Sequence, residues 1–139
     1  MDKGTKIYAI VLGVLSIALA ITFLYQSPEL KELNARLESI QEINDFPYQF
    51  KVLRINNGTA ILNSPISTEL PCGKVIGIIF PHIKNKSLLS PEYQKAQKQL
   101  AKVQMLAGNT IKSNPGINKI VWELDRSWLI QNGVSLNNL

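Results

Sequence analysis

Hydrophobic positions fall into two regimes along this chain. Residues 7–25 (IYAIVLGVLSIALAITFLY) form one run uninterrupted by charge, whereas from residue 27 onward apolar residues recur in short stripes separated by charged and turn-forming ones. At about 1.5 Å per residue the run makes an α-helical rod of roughly 28 Å, close to the hydrocarbon thickness of a bilayer. It is expected to be a transmembrane helix. Lys3, Lys6 and the N-terminal amine precede it against Asp2, and Glu29, Lys31 and Glu32 are the first charges after it. That basic bias on the short side predicts a cytoplasmic stretch 1–6 and translocation of everything beyond the anchor. The rival reading is a cleaved signal peptide, since Ala18-Leu19-Ala20 has the small-x-small form and would place the cut after Ala20. Cleavage there leaves an apolar new terminus starting at Ile21, which favours retention as a signal anchor.

The stripes after the anchor predict a compact order of elements. Ser27-Pro28-Glu29 supplies a cap residue, a proline tolerated in the first turn and an acid beside the positive helix end, so a juxtamembrane helix is expected over 27–44. Within it Leu30, Leu33, Leu37 and Ile40 recur at spacings of 3, 4 and 3, an a/d seam about two heptads long. The seam either packs on its own domain or pairs with a second copy or another membrane protein. Next, residues 48–55 and 59–62 are rich in aromatic and β-branched residues around Asn56-Asn57-Gly58, which predicts a β-hairpin with a tight primed turn. Residues 75–80 (VIGIIF) fit a helix capped from Ser67 or Thr68 with Pro71 in its first turn, or alternatively an edge strand. From Ser90-Pro91-Glu92 a long helix is expected, with Ala96, Leu100, Val103, Ala107 and Ile111 in one apolar stripe and Lys95, Lys98 and Lys102 on the far side. Asn114-Pro115-Gly116 ends it. Residues 117–125 alternate as a last strand, Asp125 or Ser127 can cap a short final helix, and Trp122 and Trp128 are expected in the core. The fold class is therefore α+β: a single N-terminal transmembrane helix at 7–25, then a small helix, β-hairpin, helix and strand domain at 46–132, with a tail at 133–139 of which Asn137-Asn138-Leu139 is expected to be unstructured.

Composition sharpens this picture through charge. The 139 residues carry a formal net charge of +5, yet between residues 46 and 119 ten lysines and arginines face only Glu69 and Glu92. Such a surface favours anionic partners, here membrane lipids or an acidic protein. Nucleic-acid binding lacks its usual interleaving of basic and aromatic residues and is not expected. Cys72 is the only cysteine, so no disulfide can form within the chain and no zinc pattern exists.

Two stretches resemble the BON domain, a small bacterial envelope module associated with phospholipid binding. Residues 52–62 (VLRINNGTAIL) are similar to that family's strand, glycine turn and second strand. Residues 107–124 (AGNTIKSNPGINKIVWEL) are similar to its helix end, turn and last strand, with Pro115, Gly116 and Ile117 in the turn. The family's second glycine would fall near Ser64, and residues 66–90 have no counterpart. The resemblance implies a helical layer on a small mixed sheet and a membrane-facing role.

Catalytic chemistry finds little to work with. His82 is the sole histidine, and a Cys72/His82 dyad would lack an orienting third group. Glu123 and Asp125 are the one pair of carboxylates close in the chain on a strand, and salt links to Arg126 or to lysines are their expected role. No phosphate-binding glycine loop, nucleophile elbow or HExxH motif occurs. The expectation is a non-enzymatic envelope protein without a cofactor, docking through Lys95, Lys98 and Lys102 on anionic lipid or an envelope partner. The alternative is a structural subunit of a membrane complex assembling through its anchor and the Leu30, Leu33, Leu37 and Ile40 seam.

Overall fold

The computed structural model describes residues 2–24, 27–68 and 72–137. Helix α1 (Lys3–Leu24) carries the apolar run, and every side chain described in it is exposed. Helix α2 (Pro28–Ser39) begins as the sequence suggests, with the Ser27 hydroxyl accepting from the Leu30 N–H at 3.2 Å and Pro28 in the first turn. The expected single helix over 27–44 breaks at Ile40, whose backbone is extended (φ −92°, ψ 113°), and resumes as the short α3 (Gln41–Asn44).

Strands β1 (Val52–Asn56) and β2 (Thr59–Ser64) form the hairpin. Its turn residues Asn57 and Gly58 have φ of 49° and 80°, the left-handed pair that a primed turn requires. A β-carbon at Gly58 would stand 2.8 Å from the Asn118 side-chain nitrogen, because the chain leaving the long helix returns here and Asn118 donates its N–H to the Gly58 carbonyl at 2.7 Å. Residues 48–51 do not join the ladder as expected. Buried Asn63 engages them instead, accepting from Lys51 N–H at 2.6 Å and donating to the Gln49 carbonyl at 2.9 Å.

Residues 75–80 are helical almost throughout, within α4 (Cys72–Ile79). The cap expected at Ser67 or Thr68 with Pro71 depends on residues 69–71, which lie outside the described residues. A 3-10 turn, Pro81–Ile83, follows, then α5 (Pro91–Lys112), with the Ser90 hydroxyl capping the Tyr93 N–H. Strand β3 (Lys119–Leu124) pairs parallel to β2, giving the order β1-β2-β3 with β2 central. Helix α6 (Arg126–Gln131) is capped by Asp125, which accepts from the Trp128 N–H at 3.2 Å.

The result is a mixed sheet with helices packed on one side, an α+β domain. α5 lies against β2 and β3, α2 against α5 and β1, and α4 against α5. The apolar stripe of α5 behaves as its spacing requires, with Ala96, Leu100, Val103, Ala107 and Ile111 all buried. Tyr48 and Phe50 meet edge to face at 5.0 Å, and Trp128 meets Tyr48 and Trp122 meets Phe50 in the same way at 5.0 and 6.0 Å. Both tryptophans are half-buried against this core. The other side of the sheet is open and carries Leu53, Val121 and a two-pronged Arg54–Glu123 ion pair at 2.9 and 3.1 Å.

Two boundaries need correction. Leu33, Leu37, Ile43 and Val134 belong to the same core as the sheet, so the domain reaches from α2 to Val134 and beyond 46–132 at both ends. The Leu30, Leu33, Leu37 and Ile40 seam is covered by its own domain: Leu33 and Leu37 are buried, and Leu30 and Ile40 are half-buried against the core. Leu33 and Leu37, enclosed in this way, have no surface left to offer a second helix. The tail is likewise partly fixed, since Val134 is buried and donates its N–H to the Leu129 carbonyl at 2.9 Å.

Candidate docking surfaces

Helix α5 turns its charged side outward along its whole length. Lys95, Lys98 and Lys102 are exposed, and successive steps of 3, 4, 3, 4 and 3 residues continue their line through Met105 and Asn109 to Lys112, all exposed. The three lysines expected as a docking face therefore share one surface. Across from them, α3 and the residues after it form the opposite wall of an open cleft of about 680 Å³, containing Glu42, Asp45, Phe46 and Pro47. Lys102 Nζ stands 3.9 Å from Glu42 Oε2 with both side chains well exposed, a contact of little energetic weight. The acidic wall was not legible from the sequence. Glu42 and Asp45 reach it because the chain kinks at Ile40, and no residue-type signal marks that kink.

A second cleft, about 650 Å³, lies at the far end of α5 between α4 and the segment 81–90. Its charged lining is Lys74, Lys84 and Lys86. Gly73 and Gly77, one turn apart on α4, let that segment lie close: a β-carbon at Gly73 would meet Leu88 Cδ2 at 2.8 Å, and one at Gly77 would meet Lys84 Cα at 3.4 Å. Leu88 and the adjacent Leu89 are 62% and 84% exposed.

The residues considered for chemistry are dispersed into other tasks. Asp125 Oδ2 accepts from the Tyr48 hydroxyl at 2.8 Å while its other oxygen caps α6. Burial first, and then the hydrogen bond to Asp125, push the Tyr48 phenol far above its ordinary pKa. Glu123 pairs with Arg54 rather than with Arg126 or a lysine. The hydrogen bond from Arg54 holds its carboxyl below the usual value, and the same bond raises the guanidinium. His82 is exposed beside Phe80, and the side chain of Cys72 lies outside the described residues. Among the described residues no group of three or more His, Cys, Asp or Glu could hold a metal ion.

One structural residue went unread in the sequence. Asn34 of α2 donates to the Val52 carbonyl at 3.1 Å and accepts from the Val52 N–H at 2.8 Å, fastening α2 to the edge strand. Its position between Leu33 and Leu37 gave no sign of this.

In comparisons with known proteins, no family model, no curated protein and no solved structure matches the chain.

Proposed function

We propose that this is a non-enzymatic membrane-anchored protein of the cell envelope, its domain on the extracytoplasmic side and resting on anionic lipid through the outward face of α5. The observation that carries the reading is the contrast at the α1–α2 junction. A helix long and apolar enough to span a bilayer, with no described side chain buried, ends three residues before a folded domain begins. Three residues reach at most about 10 Å, so the start of α2 is held at the membrane surface. The lysines at 3 and 6 favour a cytoplasmic N-terminus. Lys95, Lys98, Lys102 and Lys112 then lie along one side of the domain, each contributing on the order of 1 kcal/mol near an anionic surface.

Because the core contains no residue of α1, fragment 27–139 retains every core residue and can be tested free of the anchor. It is expected to pellet with phosphatidylglycerol vesicles, to be released as salt rises, and to lose binding when Lys95, Lys98 and Lys102 are all changed to Glu. Binding unaffected by the triple change would end the lipid reading.

A further inference from the structure

The two ends of the domain differ in what they can reach. At one end, Ser27, Glu29 and Leu30 at the start of α2 share a hollow with Asn57, Gly58 and Gly116, the last lying just beyond the C-terminus of α5. This is the end tied to α1. The cleft walled by segment 81–90 includes Tyr93 and Gln97, from the first two turns of α5. The 22 residues of α5 separate the two ends by about 33 Å. The second cleft thus sits at the end away from the tether.

Its chemistry is one-signed. Among the described residues no acidic side chain lines it, and Lys74, Lys84 and Lys86 do. Among the described residues neither Lys84 nor Lys86 forms an ion pair, and Lys74 donates only to the Gly133 carbonyl, at 3.3 Å. Between the charges are Ile78, Ile83 and Leu88, the last 62% exposed. The amides of Gln97 and Asn132 stand on the wall and can pair with a peptide backbone. An apolar floor among lysines that no described carboxylate neutralises is complementary to a ligand that is both acidic and apolar.

We infer that this cleft receives an acidic, apolar peptide segment of a partner protein. Carboxylates of the segment meet Lys74, Lys84 and Lys86, and one or two large apolar side chains enter between Leu88 and Ile78 over the α4 glycines. The inference rests on the anchored reading only in placing the cleft at the end of the domain away from the tether, and it does not require α5 to bind lipid.

The test uses the full chain in nanodiscs of mixed phosphatidylglycerol and phosphatidylcholine as bait for a random peptide library displayed on phage. Enriched peptides are expected to carry net negative charge and at least two large apolar residues. Their synthetic forms should bind at least tenfold more weakly to Lys84→Glu/Lys86→Glu and to Leu88→Asp. All three residues are exposed, so these changes leave the core intact. The Lys95, Lys98 and Lys102 triple change should leave peptide binding unchanged even where it abolishes vesicle binding, which separates this proposal from the lipid reading. Enrichment of peptides without that character, no enrichment, or undiminished binding to both cleft variants would overturn it. So would quenching of a dye placed at Leu88→Cys, in a Cys72→Ser background, by doxyl lipids, since the cleft would then face the bilayer.

Discussion

Helices α1 and α5 are each 22 residues long, yet they follow opposite rules. α1 is apolar on all sides and turns every described side chain outward, which is stable only if the surroundings are themselves apolar. α5 has one apolar stripe and buries it against the sheet, while its remaining faces meet water. Length therefore says little about a helix's role, and the angular distribution of apolar side chains says most of it. For α1, long and apolar enough to cross a membrane, a bilayer is a fitting solvent. For α5 it is the domain on one side and water on the other.

The sharpest way to break this contrast is to shorten a leucine in each helix. Leu100 is 1% exposed, so Leu100→Ala is expected to destabilise the domain by about 2–5 kcal/mol. Leu15→Ala in α1 should leave domain stability unchanged. Denaturant unfolding followed by tryptophan fluorescence separates the two, because Trp122 and Trp128 are the only tryptophans and both lie in the domain. A charge reverses the test: Leu12→Arg should oppose membrane insertion by about 2.5–3.5 kcal/mol, seen as loss from the carbonate-resistant membrane fraction, with the fluorescence transition of the domain unmoved. Smaller effects probe how the sheet under α5 is held. Tyr48→Phe removes the bond to Asp125 and is expected to cost about 1–3 kcal/mol by the same unfolding measurement. The Arg54–Glu123 pair on the exposed side should contribute least. With Glu123 held below its ordinary pKa, its contribution is present above the usual carboxylate range and lost as pH falls through the lowered value. Arg54→Ala should flatten that acid-side slope slightly.

Where apolar spacing and turn chemistry both spoke, the chain was readable. The caps at Ser27 and Ser90, the Asn57-Gly58 turn, the α5 stripe and the last strand stand where their residues place them. The Leu30 to Ile40 seam shows where such reading stops. A stripe at helical spacing announces that something covers it without saying what, and here α5 and β1 of the same domain do so. The early end of the first strand has a similar cause, since Asn63 captures main-chain groups that alternation alone assigns to a ladder. The basic face of α5 was visible as lysines at 95, 98 and 102. The cleft beside Leu88 was not, because it is made by glycines on α4 and a segment that its own periodicity leaves irregular.

The Asn34 clamp has a consequence for how these molecules coexist. Strand β1 is an outer strand, and such margins tend to recruit strands from neighbouring copies. With both main-chain groups of Val52 already taken by a side chain from α2, a strand from another molecule finds no partner at this position. Copies that meet along this edge find that pairing position already filled.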